Sequence, residues 1–422
     1  HGAMSKAEVA AHSHSLSELS RLCAAWGVVL REHRRLYGGY SGSNYLVVGT
    51  DGSRAVLKLC HGYSLDEVEA QAKLMAHLRS SGFLGACVAY EPCGGMFRSL
   101  ARALRLGSPH SYVIASTDGS PVCMLSYVEG VAADKVIGAR KVEIEWVLRE
   151  VGEGLGRLHS VPCTHAQGLR SIMEGGGCDL RKHISDEYSE ALKACATVAE
   201  HDFLPFYRVR RERLRAVLAV TELPQGVLHG DPFLDNVLVD ENTGKLAGFV
   251  DFEDVCIGPL LFDVACCCAA ACFRASDNAF DVRRLRALLG GYVAARDLSE
   301  VEAAHLVEFM QIAMLCNCAW RFKNFNVDHP ELTDCRDAHR ELQARIEALD
   351  EGEFTAGAVE DVLDDLVKVR KLRRTREVAQ QVPERSVAFS SPASAGISRG
   401  LAAVCVAALA AGLVLVSAWK RR

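Results

Sequence analysis

One stretch of the 422-residue chain decides its fold, and it reads Val227-Leu228-His229-Gly230-Asp231-Pro232-Phe233-Leu234-Asp235-Asn236. Its first residues are apolar, so we expect a short strand that enters a turn at Asp231. A hairpin around Thr243-Gly244 is predicted to follow, and its second strand ends at Asp251. The pattern therefore delivers Asp231, Asn236 and Asp251 to one site.

These three residues have the chemistry that phosphoryl transfer demands, namely an aspartate near the attacking hydroxyl and oxygen ligands for cations that bridge the phosphates. Asn236 follows Asp231 by five residues, which is the separation in the protein-kinase loop H-R-D-x-x-x-x-N. We predict that Asp231 is the catalytic residue that orients the acceptor hydroxyl, while Asn236 and Asp251 bind Mg²⁺. His229 is expected to hold the loop rather than to react.

A glycine-rich segment near the N-terminus is typical of a loop that covers phosphates, because its backbone N–H groups would face them. Val122 to Gly130 are predicted to form the last strand of the same lobe and the hinge between the lobes, with Tyr127 and Val128 near the adenine of ATP. The loop residues assigned to nucleotide binding are Gly38, Gly39, Ser41, Gly42 and Ser43.

The next part of the chain supplies a lysine for the nucleotide. Two apolar stretches flank the turn at Asp51-Gly52 and predict a hairpin. Lys58, on its second strand, corresponds to the lysine that contacts the α- and β-phosphates in protein kinases. The following helix carries Glu67 and Glu69, and one of these acids is expected to orient Lys58.

The order of these signals predicts an α+β fold with two lobes like those of protein kinases, a small β-rich N-lobe and a larger α-rich C-lobe. We place the nucleotide-binding N-lobe at residues 21–128, after an N-terminal tail of residues 1–20. The C-lobe, with the catalytic and acceptor-binding residues, is placed at 129–349. Residues 350–396 are predicted to form a charged helix and a linker.

The last part of the predicted fold is a C-terminal transmembrane helix at residues 397–422, which would anchor the chain to a membrane. The nineteen residues from Leu401 to Trp419 carry no charge, and Lys420-Arg421-Arg422 follow them. The alternative is an alanine- and valine-rich helix buried in the globular domain. With an anchor at this end, the catalytic domain is expected in the cytosol, on an organelle that the sequence leaves open.

The catalytic stretch resembles that of one enzyme superfamily. Together with Val250–Asp254 and Phe262–Ala265, it looks like the aminoglycoside phosphotransferase and choline kinase superfamily, and most like its homoserine kinases; hydroxylysine kinases are similar too. The resemblance runs from about Leu36 to Leu349 and implies a two-lobed fold that uses ATP and Mg²⁺. Residues 96–109 look like an insertion relative to this family.

The same resemblance refines the roles of several acidic residues. Family spacing favours Glu69 over Glu67 as the partner of the nucleotide-binding lysine, and it implies that Asp263 braces the catalytic loop. Glu253 and Asp254 lie just beyond the second metal ligand. They would face an ammonium group of the acceptor, and hydrogen bonding to the backbone of a tight turn is their alternative role.

The residues and the resemblance together predict an ATP-dependent phosphotransferase that acts on a small-molecule hydroxyl, with L-homoserine as the leading acceptor. Homoserine is favoured over choline because glycine, and not asparagine, follows His229. Choline, ethanolamine, a sugar or hydroxylysine are alternative acceptors, and a tail-anchored pseudokinase that acts as a binding module is an alternative of another class. The formal charge of −5 contains no long block of one sign, so no nucleic-acid partner is expected.

Overall fold

The computed structural model describes residues 14–36, 42–93, 112–139, 142–162, 180–218, 220, 222–351 and 357–366. The chain divides after Val369 into two units, and every described residue lies in the first. The predictions for Gly38, Gly39 and Ser41 lie outside the described residues. The same holds for the insertion at residues 96–109 and for most of the predicted linker.

The described part of the small lobe contains five strands and two helices. In chain order they are α1 (Leu16–Ala24), β1 (Leu30–Leu36), β2 (Gly42–Gly49), β3 (Arg54–Cys60), α2 (Leu65–Ser80), β4 (Val113–Ala115) and β5 (Pro121–Ser126). The strands form one antiparallel sheet in the order β1-β2-β3-β5-β4. The predicted hairpin is confirmed as β2 and β3.

The two faces of this sheet have different neighbours. Helix α1 covers one face, where Leu19 and Leu22 pack with Tyr45 and Leu57. Successive side chains of a strand alternate between the faces. Lys58 therefore lies on the opposite face from Leu57, towards the large lobe that its ammonium group contacts.

The large lobe is mainly helical and contains two small sheets. Its elements are β6 (Val131–Ala132), α3 (Ala133–Ala139), α4 (Ile144–His159), α5 (Asp186–Ala194), α6 (Phe203–Leu218), β7 (Gln225–Leu228), β8 (Val237–Val239), β9 (Leu246–Phe249), β10 (Cys256–Pro259), α7 (Leu261–Ala271), α8 (Val282–Ala295), α9 (Glu300–Ala304), α10 (Leu306–Lys323) and α11 (Arg340–Glu351). Short 3₁₀ turns occur at Leu180–Ile184, Ala196–Val198, Phe252–Asp254 and Thr333–Cys335, and a π turn at Asn324–Asp328. Residues 357–366 are also helical.

The sheets of the large lobe pair β7 with β10 and β6 with β8 and β9. Helices α4 and α8 pack so closely that a Cβ on Gly152 would lie 2.0 Å from the carbonyl oxygen of Leu288. The predicted lobe boundary after residue 128 falls between β5 and β6. The domain limits themselves stay a prediction.

The predicted fold class is wrong in its last part, the C-terminal transmembrane helix. Residues 397–422 lie outside the described residues, and no helix of the described ranges combines the length and the apolar composition that crossing a bilayer needs. The longest of these helices, α10, is surrounded by α6, α7 and α11, and it carries Glu308, Arg321 and Lys323 near its ends. The structure supports a two-lobed kinase-like fold, and a membrane partner is not supported. The cytosolic location stays a prediction.

Candidate active site

One buried carboxylate holds the turn that follows β7. Asp263, in the first turn of α7, accepts the backbone N–H of His229 at 2.6 Å and that of Gly230 at 3.0 Å. The Nε2 atom of His159 lies 3.1 Å from the same carboxylate. Asp263 is fully buried, and hydrogen bonds to a charged acceptor are strong in such surroundings. The turn that precedes Asp231 is therefore fixed through its backbone.

The polar contacts continue from His159 into the large lobe. The hydroxyl of Tyr292 lies 2.8 Å from the Nδ1 atom of His159. Arg296 donates to that hydroxyl at 2.8 Å and to Glu302 at 2.9 Å. Donors and acceptors alternate if Arg296 donates to Tyr292, Tyr292 to His159, and His159 to Asp263. A satisfied chain of polar groups thus supports the turn from inside the lobe.

Gly230 allows the turn to approach the neighbouring segment closely. Its φ of +89° lies in the region that favours glycine. A Cβ at this position would lie 2.0 Å from the carbonyl oxygen of Asp254. The backbone before Asp231 and the turn Phe252–Asp254 are therefore in direct contact, and only glycine fits at position 230.

Asp231 combines one fixed oxygen with one unsatisfied oxygen. Its Oδ2 accepts a hydrogen bond from Nδ2 of Asn236 at 3.0 Å. Its Oδ1 is buried and has no hydrogen-bond partner among the described residues. Burial, followed by the charges of Asp235 and Asp251, raises the pKa of Asp231 to about 7. A carboxylate with such a pKa is suited to receive the hydrogen bond, and then the proton, of a hydroxyl.

Asp251 lies two residues after the end of β9, directly before the turn Phe252–Asp254, in a left-handed backbone conformation with φ of 63° and ψ of 60°. Such a conformation is uncommon for a residue other than glycine, and it often occurs at functional sites. The preceding residue, Val250, is tied to the turn, because its N–H donates to the carbonyl of Asn236 at 2.9 Å and its carbonyl accepts from His229 at 2.9 Å. The structure thus brings Asp231, Asn236 and Asp251 together.

Lys58 joins the two lobes through two carboxylates. Its Nζ atom lies 2.8 Å from Oδ1 of Asp251, and it also forms an ion pair with Glu253. Burial alone would lower the pKa of Lys58, but the charges of Asp251 and Glu253 raise it well above its ordinary value. The side chain therefore remains a cation although it is almost inaccessible to solvent.

The two acids of helix α2 lie elsewhere. Glu69 is buried, accepts the backbone N–H of Tyr112 at 2.9 Å and pairs with Lys73 at 3.4 Å. Glu67 closes the capping box at the start of the helix. Within the ranges that the structure describes, no ion pair joins Lys58 to either acid.

The described end of the glycine-rich loop leads into β2. A Cβ on Gly42 would lie 2.5 Å from the carbonyl oxygen of Leu59, so the two strands approach too closely for a side chain there. The hydroxyl of Ser43 is buried 3.3 Å from Nε2 of His61, on the face that α1 covers. Only the backbone of Ser43 is thus placed to face a nucleotide.

Asn44 is a residue of the site that the sequence prediction missed. It pairs directly with Lys58 across β2 and β3, so the two side chains share one face of the sheet. Its Oδ1 is buried without a hydrogen-bond partner among the described residues. The alternation of side chains along the predicted hairpin was a signal that pointed to Asn44 and away from Ser43.

Tyr127 and Val128 lie where the chain passes between the lobes. The guanidinium group of Arg54 lies 4.8 Å from the centre of the Tyr127 ring and 2.8 Å from the carboxylate of Glu129. Val128 packs against the larger hydrophobic core, which includes residues of both lobes, and lies close to Gly248. The pair therefore forms part of the connection between the two lobes.

The exposed side chain of Lys182 is near enough for its charge to act on Asp254, and sequence spacing gave no means of finding this relation. Burial raises the pKa of Asp254 well above its ordinary value, and the charge of Lys182 opposes this rise. Lys182 belongs to the turn Leu180–Ile184, which is fastened to β10 because Arg181 donates to the carbonyl of Ile257 at 3.3 Å. This side of the site thus carries charges of both signs.

Asn236 and Asp251 suit a hard divalent cation. Asn236 donates through Nδ2 to the carboxylate and to the carbonyl of Asp231, so its Oδ1 is the atom left for a cation. The described ranges contain no cluster of three or more His, Cys, Asp or Glu side chains that would hold a metal by protein ligands alone. Mg²⁺ at phosphoryl-transfer sites takes few protein oxygens and completes its shell with phosphates and water, so this pair fits it.

Known proteins place the chain in a family. Residues 32–298 match the family model described as Phosphotransferase enzyme family (APH). The chain belongs to this family. The homoserine kinase of Bradyrhizobium diazoefficiens is 28% identical over 281 residues, which cover 66% of this chain and 74% of that protein. The homoserine kinase of Xanthobacter autotrophicus is 30% identical over 284 residues, covering 66% and 75% respectively.

Solved structures share the fold of this phosphotransferase. A choline/ethanolamine kinase family protein from Mesorhizobium loti has a TM-score of 0.51 and 15% identity, covering 82% of this chain and 97% of that one. A microcompartment-associated aminopropanol kinase has a TM-score of 0.53 and 15% identity, covering 79% and 97%. At this level of identity the likeness extends to the fold alone.

The predicted family and the predicted class of enzyme are confirmed. This phosphotransferase is a small-molecule kinase, and its family implies the use of ATP, typically with a divalent metal, and an acceptor that offers a hydroxyl group. The roles of individual residues and the identity of the acceptor are taken up as proposals below.

Proposed function

We propose that this phosphotransferase moves the γ-phosphoryl group of ATP to the hydroxyl of L-homoserine. The observation that carries the proposal is the buried Oδ1 of Asp231, which has no partner among the described residues, while Asn236 fixes the other oxygen. A buried acceptor without a donor costs free energy. The hydroxyl of an acceptor would supply the missing hydrogen bond and would be oriented by it.

The charged groups around Asp231 have complementary roles in this proposal. Lys58 would contact the α- and β-phosphates, since it is the cation that the small lobe presents to Asp251. Asn236 and Asp251 would hold Mg²⁺, which when bound would neutralise negative charge on the phosphates. The side chain of Asp231 would then accept the proton as the hydroxyl oxygen bonds to phosphorus.

The adenosine side of ATP would lie against the connection between the lobes. Tyr127 and Val128 would contact the adenine, and backbone N–H groups would face the phosphates. Asn44 would add a polar side chain on the face of Lys58. The proposed loop residues are Gly38, Gly39, Ser41, Gly42 and Ser43.

The acceptor side supports an amino acid over a simple cation. Asp254 lies against the catalytic turn through Gly230, and Lys182 is close enough for its charge to affect the carboxyl group of Asp254. Homoserine carries an ammonium and a carboxylate, which Asp254 and Lys182 would pair with respectively. Choline and ethanolamine carry only the positive charge and offer no carboxylate to Lys182. The homoserine kinases among the relatives point the same way.

The experiment is an acceptor panel with the purified full chain, MgATP and a coupled measurement of ADP release. L-homoserine, choline, ethanolamine, hydroxylysine and a set of sugars are compared by kcat/KM, with Asp231→Asn as the control for contaminating kinases. We expect homoserine to exceed choline and ethanolamine by about fivefold, because both lack a carboxylate for Lys182, and an ion pair with an exposed side chain contributes at most about 1 kcal/mol. A higher kcat/KM for any other acceptor contradicts the homoserine proposal.

A binding module without catalytic activity is the alternative of another class. It predicts that MgATP binds to the wild-type chain in calorimetry while no acceptor in the panel raises ADP release above the Asp231→Asn background. The presence of Lys58, Asp231, Asn236 and Asp251 in one site supports the enzyme instead.

A further inference from the structure

Glu253 lies beside Lys58 and is engaged from several directions. Its Oε1 forms an ion pair with Lys58, and its Oε2 accepts a hydrogen bond from the hydroxyl of Tyr63 at 3.3 Å. The side chain of Glu253 is 12% exposed and that of Lys58 is 8% exposed, whereas that of Asp251 is 30% exposed. Of the two carboxylates on Lys58, Glu253 is therefore the less accessible to solvent and ligands.

The turn that carries Glu253 is also attached to helix α2. Gln71 donates from Nε2 to the backbone carbonyl of Glu253 at 3.1 Å. Tyr63, the other donor to Glu253, stands just before the capping residue of the same helix. Helix α2 thus reaches Lys58 through the Glu253 segment of the large lobe.

Glu69, the acid that family spacing favours for this role, is committed to a different contact. Its carboxylate accepts the N–H of Tyr112, directly before β4, and pairs with Lys73 one helical turn away. This carboxylate fastens the helix to the edge of the sheet. Moving it to Lys58 would leave the part-buried backbone N–H of Tyr112 without this acceptor.

We propose that Glu253 is the positioning residue that orients Lys58 towards the nucleotide phosphates, in place of the helix acid Glu69. The inference rests on the proposed function and assigns Glu253 to the lysine instead of to the acceptor's ammonium group. When Asp251 is committed to a cation, Glu253 is the carboxylate that still neutralises and aims Lys58. The hydrogen bond from the side chain of Gln71 to the backbone carbonyl of Glu253 holds Glu253 at a fixed position relative to helix α2.

The test measures MgATP binding by titration calorimetry for the wild-type chain and for Glu253→Gln, Glu69→Gln, Lys58→Met and the double variant Glu253→Gln/Lys58→Met. Glutamine keeps the size of each side chain and removes its charge. We expect Glu253→Gln to weaken MgATP binding about tenfold, because Lys58 loses a charged partner. Glu69→Gln should weaken it only about twofold, because the contacts of Lys58 are retained. The conservative variant Glu253→Asp should recover part of the loss.

The double variant separates a lysine partner from a metal ligand. If Glu253 acts through Lys58, adding Glu253→Gln to Lys58→Met changes binding little further, because contacting residues are not additive. Full additivity, or recovery of Glu253→Gln by raised Mg²⁺ alone, overturns the proposal. A larger loss for Glu69→Gln than for Glu253→Gln also overturns it.

Because binding is measured without an acceptor, the two proposals fail in different ways. Binding of MgATP without turnover of any acceptor refutes the proposed function, and the order of the variants still decides the role of Glu253. If the wild-type chain does not bind MgATP, both proposals are wrong. Thermal unfolding of each variant shows whether a loss of MgATP binding comes from misfolding. If Glu253→Gln is misfolded, MgATP binding by Glu253→Asp decides the role of Glu253.

Discussion

The two sides of the contact between Lys58 and Asp251 are built in different ways. On the large-lobe side, Asp263 binds the backbone N–H groups of His229 and Gly230, and Val250 is tied to the same turn. On the small-lobe side, Lys58 is held by side chains, and Asp251 lies 193 residues further along the chain. The first side is held by hydrogen bonds to the backbone between residues at most 34 positions apart, whereas the second depends on how two lobes meet.

The largest effect is expected at the backbone-anchored side, from Asp231→Asn. Asparagine keeps the shape of the side chain but cannot take the proton of the hydroxyl, so kcat should fall by about 10³-fold. MgATP binding should stay within about threefold of the wild type. The unfolding midpoint should be unchanged or higher, since the buried and unpaired charge is removed. Turnover above a tenth of the wild-type rate would show that Asp231 is not the catalytic residue.

A second comparison places the same substitution in both lobes. Gly230 and Gly52 both have positive φ, of +89° and +83°. A Cβ on Gly230 would lie 2.0 Å from the carbonyl oxygen of Asp254, whereas a Cβ on Gly52 would have no atom within 4 Å. Gly52→Ala should destabilise the fold by about 1 kcal/mol through backbone strain alone. Gly230→Ala should cost about 3 kcal/mol or more and should also reduce kcat, because the turn before Asp231 must move. Urea unfolding measures both free energies, and equal losses would contradict the close approach.

The third prediction concerns the pH dependence of the large lobe. Burial lowers the pKa of His339 to about 4, and its ring packs against His201, Phe203 and Phe322. The unfolded chain, with a histidine pKa near 6.5, therefore binds more protons as the pH falls below that value. Protonation of His339 in the unfolded chain should therefore lower the free energy of unfolding by about 2 kcal/mol as the pH falls from 7 to 5.

The measurement is urea unfolding at both pH values for the wild type and for His339→Gln. The variant should lose about 2 kcal/mol less than the wild type over this interval, since its side chain does not titrate. An equal loss in both proteins would show that His339 does not carry the effect.

Sequence spacing was sufficient wherever the backbone fixes a side chain. Three side chains that the structure brings together were predicted in this way. The prediction used the separation between Asp231 and Asn236 and the hairpin that leads to Asp251. The β2–β3 hairpin and the position of Lys58 followed from the turn at Asp51-Gly52 for the same reason. These relations involve residues that are near in sequence or paired in one sheet.

The rest depended on strand alternation, which the loop assignment did not use, and on contacts between residues far apart in the chain, which motif spacing does not encode. Glu69 stands on the predicted helix, but its carboxylate has a closer donor in Tyr112, and Glu253 reaches Lys58 instead. Ser43 lies in the predicted loop segment, yet alternation along β2 turns its side chain away. Lys182 belongs to a turn that contacts α10 and β10, both far away in the sequence.

The smallest expected effect compares two neighbours on β2. Ser43→Ala should change the Kd of MgATP by less than about twofold, because the Ser43 hydroxyl contacts His61 under helix α1. Asn44→Ala should weaken binding about fivefold, because Asn44 shares the face of Lys58. Calorimetry of the two variants measures both values. The reverse order would mean that the sheet presents its other face to the nucleotide.

The most direct test of the proposed function follows the phosphorus atoms of ATP by ³¹P NMR in the presence of Mg²⁺, L-homoserine and the full chain. We predict that the γ-phosphate signal is replaced by that of a phosphate monoester on homoserine, in step with the formation of ADP, and that Asp231→Asn forms neither. Release of inorganic phosphate without the ester, or an unchanged ATP spectrum under conditions where MgATP is bound, would contradict the transfer to homoserine.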